Sequence, residues 1–288
     1  MKKVIKKYLP KIIGFRLNSL YRVNKKKTVQ KTYRVFCTPR GGKVLAKHSS
    51  FLDKAKLEKI SFQQYQIQTY HWEGKGKTVL LVHGWDSNAG RWKNLVNFLR
   101  QQDYNIYAFD APAQGNSSGR LLNVPLYASC LNQMIKRFTP TILIGHSMGG
   151  LSILFNEFKF PTPNLEKIVS LGAPSEVKKI LYDLKKILGL NQKIMIDLEQ
   201  FFIEKFGYTF DEFCGAEFAQ HIPTPSLIIH DAYDKVVPIQ EGYDLQNGLQ
   251  NVSFIKTEGC GHSLNRDDIH QAVIDFLKKL SSCKRKKL

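Results

Sequence analysis

Several features that would assign this chain to a class at once are scarce or absent. Its 288 residues include only five cysteines, and these lie too far apart to indicate a disulfide framework or a metal cluster. No apolar run approaches the roughly 20 residues that a membrane-spanning helix needs. The hydrophobic fraction of 43% and the charged fraction of 23% exclude wholesale disorder and collagen-like structure. We therefore expect a globular protein with free thiols, no bound metal and no cofactor.

Acidic residues are missing from both ends of the chain. Residues 1–50 contain 15 basic residues and no acidic one, and residues 281–288 contain four basic residues and no acidic one. We interpret these ends as solvated, partly disordered tails, with weak contact to an anionic membrane surface as the alternative. Because no helix-turn-helix, zinc or aromatic-platform signature is present, we expect no specific binding to nucleic acid.

The first residues also lack the continuous apolar segment of a signal peptide, because Lys6, Lys7, Pro10 and Lys11 interrupt it. We expect a cytoplasmic protein, with a membrane-peripheral position as the alternative.

Pro10 argues against one long helix through residues 2–16. The alternating segment Thr32–Phe36 is a candidate edge strand.

From residue 60 onward, strand patterns alternate with helix patterns. This order is typical of a three-layer α/β/α sandwich with a mostly parallel central sheet. We predict a basic N-terminal extension at 1–50, a core formed by 51–174 and 225–280, and a basic tail at 281–288. Residues 175–224 show helical periodicity without a strand pattern, so we interpret them as a helical cap inserted into the core. The predicted strands are Gln64–Trp72, Thr78–Val82, Asn105–Phe109, Thr141–Ile144, Lys167–Leu171, Ser226–His230 and Val252–Lys256.

The strongest chemical signal is Gly145-His-Ser147-Met-Gly149-Gly150, which matches G-x-S-x-G between a buried strand and a helix. A tight strand-to-helix turn would hold Ser147 in a strained conformation, and side chains two positions away would collide with it. The helix N-terminus would offer the Met148 N–H to a developing anion. We predict that Ser147 is a nucleophile.

A serine nucleophile needs a base and an orienting carboxylate, and both should follow strands at the same edge of the sheet. His262 follows the last predicted strand, and Asp234 follows the one before it. The order Ser147, Asp234, His262 is that of a nucleophile-elbow hydrolase. Asp231 and Glu176 are rival carboxylates. We prefer Asp234 because it stands before Val-Pro in a loop where a turn can present it.

The segment His83-Gly84-Trp85 follows the first buried strand. The Trp85 N–H is the candidate second oxyanion donor, although its indole can equally be a pocket wall or core group. We expect His83 to stabilise its loop and His146 to pack beside the elbow. Asp86 and Asp110 lie near the same edge, and we assign them no catalytic role.

These motifs, with Asp110-Ala-Pro-Ala-Gln-Gly115 and Asp234-Lys-Val-Val-Pro238, resemble the α/β-hydrolase-fold serine hydrolases of the esterase/lipase-like type. The resemblance covers about residues 76–280. It implies a triad of Ser147, Asp234 and His262, an oxyanion hole from the amides of Trp85 and Met148, and a cap at 175–224. A serine at the elbow argues against the branches that use aspartate there.

The resulting functional prediction is a hydrolase that cleaves a carboxylic ester through an acyl-enzyme intermediate. Thioesters and C–C bonds suit the same triad, and a non-catalytic binding protein docked by its basic ends is the alternative from another class. A small acyl compound is the expected substrate, and its identity is not specified by any motif. Aromatic residues of the cap indicate either an apolar pocket or ordinary core packing: Phe201, Phe202, Phe206, Phe213 and Phe218.

Overall fold

The computed structural model describes residues 2–279, so the basic tail predicted at 281–288 lies outside the described residues. The chain forms two compact units. The α/β unit comprises residues 39–175 and the chain from 215 onward, and the helical unit comprises the chain up to 38 and residues 176–214. The predicted insertion 175–224 is thus divided, since residues 176–214 join the N-terminal helices and 215–224 belong to the α/β unit.

The α/β unit is built on an eight-stranded sheet in the order β1-β2-β4-β3-β5-β6-β7-β8. Strands β1 and β2 pair antiparallel, as do β2 and β4, and all other pairs are parallel. The strands are β1 Lys56–Phe62, β2 Tyr65–Trp72, β3 Thr78–Val82, β4 Asn105–Phe109, β5 Ile142–His146, β6 Lys167–Leu171, β7 Ser226–Asp231 and β8 Val252–Thr257. This confirms the α/β/α fold class, and β1 is a strand that the sequence pattern did not reveal.

Helices cover both faces of this sheet because its central strands are apolar on both sides. In β3, Val79 and Leu81 join the cluster that includes residues of α3, α4 and α11, while Leu80 and Val82 join the opposite cluster. Asn123 caps α5 by accepting a hydrogen bond from the Leu126 N–H, as its position before Pro125 predicts. The helices of this unit are α3 Ala46–Leu52, α4 Lys93–Gln101, α5 Val124–Phe138, α6 Met148–Lys159, α9 Gly215–Ala219, α10 Ile239–Gly248 and α11 Asp267–Lys278.

The helical unit contains α1 Lys2–Val23, α2 Lys25–Cys37, α7 Val177–Leu188 and α8 Gln192–Phe206. Helix α1 packs on α2 and α7, and α2 packs on α8. Gly14 lets α1 approach the C-terminal end of α7 closely, since a Cβ at Gly14 would lie 1.7 Å from the Leu188 carbonyl oxygen. Asn18 Nδ2 donates to the Gly189 carbonyl at 2.8 Å, and Tyr21 donates to Asp197 at 2.7 Å.

Three expectations for the N-terminal region were therefore wrong. The segment Thr32–Phe36 lies inside α2, Pro10 lies inside α1, and residues 8–38 form packed helices instead of a solvated, partly disordered tail. The reason is tertiary packing, which overrides local propensity. Asn18 of α1 forms hydrogen bonds with the backbone about 170 residues later in the chain, at Gly189 and Asn191.

No helix in the described part of the chain combines the length and apolar character needed to cross a membrane.

Candidate active site

The predicted functional residues follow strands β3, β5, β7 and β8, and all of these run parallel in one contiguous part of the sheet. Trp85 follows β3, Ser147 follows β5, Asp234 follows β7 and His262 follows β8. Because the carboxyl ends of parallel strands meet at one edge, the topology brings the four loops to the same edge of the α/β unit.

Ser147 occupies a strained turn between β5 and α6, with φ 52° and ψ −126°. A side chain at Gly149 would place its Cβ 2.2 Å from the Val82 carbonyl oxygen, and one at Gly145 would place it 2.6 Å from Gly150 Cα. These approaches explain the glycines on either side of the serine. A positive φ at a residue other than glycine costs of order 1–3 kcal/mol and is typical of functional sites.

Backbone donors surround this turn. Met148 and Gly149 begin α6, so their N–H groups have no partner within the helix. The loop after β3 runs directly against the serine, since a Cβ at Gly84 would lie 3.0 Å from Ser147 Cβ. The side chains of Trp85 and Met148 are partly buried against the same hydrophobic cluster. The environment of Ser147 thus suits an anionic oxygen.

Asp234 and His262 are in direct contact. The Nδ1 of His262 lies 2.8 Å from Asp234 Oδ2, and the other carboxylate oxygen accepts the backbone N–H groups of Val236 and Val237. Burial favours the neutral acid, but these hydrogen bonds, above all that from His262, outweigh it and lower the pKa of Asp234. A carboxylate only accepts, so Nδ1 carries a proton, and in the neutral imidazole Nε2 is the acceptor.

The structure places the two rival carboxylates in other settings. Asp231 accepts hydrogen bonds from the Tyr233 N–H, the Thr257 hydroxyl and the Cys260 N–H. It therefore ties the loop after β7 to the loop after β8, as expected of a residue that stabilises a turn. Glu176 lies in the helical unit, where it precedes α7 and its backbone pairs with Cys214.

The loop that carries His262 is held by two side chains of the α/β unit. His146 Nε2 donates to the His262 carbonyl at 2.8 Å, and the two rings lie 4.8 Å apart. Arg91 Nη2 donates to the next carbonyl, that of Ser263, at 3.0 Å, and its guanidinium stacks on Trp92. His146 was expected beside the elbow and is found there. Arg91 was missed, because its carbonyl partner is 172 residues away.

His146 links the serine loop to the histidine loop, since it directly precedes Ser147. Burial, reinforced by the charge of Arg91, holds the pKa of His146 well below its ordinary value. The ring is therefore neutral, and its single N–H faces the His262 carbonyl. Within residues 2–279 no hydrogen bond joins the Ser147 hydroxyl to His262, and such bonds are often long before substrate binds.

The remaining polar residues at this edge support loops. His83 accepts the Ala111 N–H and donates to the Gly84 carbonyl, and burial lowers its pKa to about 4. Asp86 accepts the N–H groups of Arg40 and Gly41. Asp110 is buried and accepts from Ala89, Asn116 and Tyr70. His83 thus stabilises its loop as expected, and Asp86 and Asp110 bind loop backbone as well.

The aromatic residues considered for a substrate pocket pack on one another. In the helical unit, Phe202 contacts Phe206 and Phe213, and Phe201 contacts Tyr33. In the α/β unit, Phe218 contacts Phe155. These contacts fit the core-packing interpretation. No group of histidine, cysteine and acidic side chains suited to a metal ion occurs among the described residues.

Comparison with known proteins agrees with the fold. Residues 79–192 match the family model described as the alpha/beta hydrolase family. The 2-hydroxy-6-oxo-6-(2'-aminophenyl)hexa-2,4-dienoic acid hydrolase of Metapseudomonas resinovorans is 23% identical over 76% of this chain and 90% of its own length. A serine hydrolase-like protein of Danio rerio is 28% identical, over 66% of this chain and 62% of its own length. The solved structure of an esterase from Exiguobacterium antarcticum superposes with a TM-score of 0.60 at 18% identity, covering 75% of this chain and 96% of the esterase.

Proposed function

Since the chain belongs to the alpha/beta hydrolase family, we propose that it is a serine hydrolase that cleaves a carboxylic ester through an acyl-enzyme formed on Ser147. The observation that carries this proposal is the strained Ser147 turn at the same sheet edge as the bonded Asp234–His262 pair. The unpaired amides at the start of α6 support it as well, because they suit the oxyanion of an acyl-transfer reaction.

In the proposed reaction, the Ser147 hydroxyl attacks the ester carbonyl carbon while His262 Nε2 takes its proton. The amides of Met148 and Trp85 stabilise the tetrahedral oxyanion, each lowering the barrier by about 3 kcal/mol. The bond to the leaving alkoxide breaks as His262 returns the proton to it. Water then attacks the acyl carbon and gives its proton to His262, which passes it to Ser147 as the carboxylic acid leaves. Asp234 stabilises the charged imidazole throughout.

The test is turnover of p-nitrophenyl esters of increasing acyl length by the full chain. Ser147→Ala should abolish turnover, with circular dichroism and melting temperature unchanged. Ser129→Ala is the matched control, because it removes a hydroxyl that donates to the Pro125 carbonyl within α5. A fluorophosphonate probe should label the peptide that contains Ser147 and no other serine. Turnover that persists in purified Ser147→Ala, or labelling at another site, would reject the proposal.

A second candidate is hydrolysis of a C–C bond beside a ketone, and the dienoic acid hydrolase relative favours it. The same variants distinguish the two reactions when they are assayed with a 2-hydroxy-6-oxo-dienoate. Loss of dienoate cleavage in Ser147→Ala, combined with no turnover of any ester by the unmodified chain, would assign the triad to this reaction.

A further inference from the structure

Helix α1 has an inward side that is fixed within the helical unit. Leu17 and Tyr21 are buried there, and Gly14 lies against the Leu188 carbonyl. The contacts of Asn18 and Tyr21 with the segment after α7 and with α8 hold this side in place. Because residues three and four apart share one face of a helix, fixing the inward side also fixes which residues lie on the opposite side.

That opposite side exposes apolar residues. Phe15 is 72% exposed and Val23 is 86% exposed, and Tyr8 and Ile12 lie on the same stripe at helical spacing. Leu9 is exposed beside them. We call these five residues the outward face of α1. An exposed apolar stripe that includes aromatic rings marks an interaction site more often than a solvent-facing helix side.

Basic side chains border this face. Arg16 and Arg22 are exposed on the flanks of the stripe, and Lys25–Lys27 at the start of α2 are exposed as well. Lys11 is also exposed, but its ammonium group donates to the Lys186 carbonyl within the helical unit. No acidic residue occurs anywhere in residues 1–50. An apolar stripe bordered by basic side chains is typical of a helix that lies in the interface of an anionic bilayer.

We propose that the outward face of α1 docks this chain on anionic lipid membranes. The apolar and aromatic side chains enter the boundary between head groups and acyl chains, while Arg16 and Arg22 contact the anionic head groups. A nucleic acid would engage the basic border but offers no apolar layer to Phe15 and Val23. A second copy of this chain would bring a border of the same charge, which opposes pairing. Membrane docking does not depend on the proposed esterase reaction.

The experiment measures partition of the full chain into vesicles of phosphatidylcholine with phosphatidylserine, and into vesicles of phosphatidylcholine alone. We expect binding to the anionic vesicles that weakens with salt. Ile12→Ser combined with Phe15→Ser should lower the partition coefficient roughly tenfold or more. Arg16→Gln should lower it roughly fivefold, since one basic residue near an anionic surface contributes about a factor of five. Phe160→Ser is the matched control, because Phe160 is 47% exposed at the end of α6 in the α/β unit.

Every variant is checked by circular dichroism, and all substituted side chains are exposed, so the fold should be retained. Failure of the unmodified chain to bind anionic vesicles would overturn the proposal. An equal decrease of the partition coefficient in Phe160→Ser and in the α1 variants would also overturn it. Binding to a DNA duplex with no vesicle binding would assign the basic border to nucleic acid instead. A concentration-dependent dimer in sedimentation that Phe15→Ser abolishes, without vesicle binding, would assign the face to self-association.

Discussion

The two units keep their shape by different means. In the α/β unit, the loops at the edge that bears the candidate site are held by buried polar contacts, such as those of Asp231, Asp110 and His146. In the helical unit, close backbone approach at Gly14 and ring packing around Phe202 join the helices. The first arrangement fixes individual atoms, as the proposed acyl-transfer reaction would require. The second fixes a helix and the face that it presents.

The largest expected effect is on kcat, and it distinguishes Asp234 from Asp231, two carboxylates of the α/β unit. In Asp234→Asn, the amide oxygen can still accept the N–H groups of Val236 and Val237, while the amide nitrogen faces His262 Nδ1. The imidazole proton is then forced to Nε2, where it cannot accept the serine proton, so kcat for an ester should fall roughly 10⁴-fold with the fold intact.

Asp231→Asn is the control for that prediction. It places an amide nitrogen where the carboxylate accepted N–H and O–H donors from three residues, so it should cost about 1–3 kcal/mol of unfolding free energy. Its effect on kcat should be much smaller than that of Asp234→Asn. If Asp231→Asn lowers kcat as much as Asp234→Asn without loss of stability, the assignment of the orienting acid is wrong.

The sequence predicts an element well when the contacts that form it are between residues close together in the chain. Strands such as β3 and β6 are locally apolar, and the G-x-S-x-G turn lies within six residues, so both were predicted with correct bounds. Strand β1 is mostly exposed at an antiparallel edge and carries no apolar run, so it was missed. Helices α1 and α2 depend on packing against α7 and α8, about 170 residues away, which no local pattern reports.

The same distinction applies to the residues of the candidate site. Ser147, Asp234 and His262 were predicted because each lies in a recognisable loop that follows a strand. Arg91 was not, since its importance depends on a carbonyl acceptor that only the folded chain brings near.

A glycine pair tests whether the units are stabilised separately. Gly14→Ala forces a Cβ against the Leu188 carbonyl, so it should destabilise the helical unit by about 3 kcal/mol. Hydrogen exchange should then rise in α1, α2, α7 and α8 and stay unchanged in β3 and β5. Gly207→Ala, where no atom lies within 4 Å of the new Cβ, should cost only about 1 kcal/mol through its positive φ. Equal loss of protection in β3 would mean that the units unfold together.

A smaller effect is expected where a side chain acts on the candidate site through another residue. Arg91→Ala removes the donor to the Ser263 carbonyl, so the loop that bears His262 should loosen and kcat should fall roughly tenfold to hundredfold. Arg91→Lys should recover part of this loss. KM should change less than kcat, because Arg91 is expected to position the base and not to bind substrate. Lys93→Ala, at the exposed start of α4, serves as the control, and a loss in it equal to that of Arg91→Ala would contradict the prediction.

The finest comparison uses two buried thiols, one in each unit. Burial raises the pKa of Cys37 in α2 to about 12, and it raises that of Cys130 in α5 as well. Near pH 8 both groups are therefore protonated and unreactive until their surroundings open. Because the pKa of Cys37 is raised in the folded state, the stabilisation from its thiol form is complete below the ordinary cysteine pKa of about 8.5 and is lost as the pH rises toward 12.

In increasing urea, alkylation of Cys37 should begin at a lower concentration than alkylation of Cys130, because the helical unit has the smaller core. Mass spectrometry of the two peptides reports both sites in one sample. Gly14→Ala should shift the onset for Cys37 downward and leave that for Cys130 in place. Coincident onsets in both proteins would show a single cooperative unit. The distinction between a helical unit with the proposed docking face and an α/β unit with the candidate active site would then have no energetic basis.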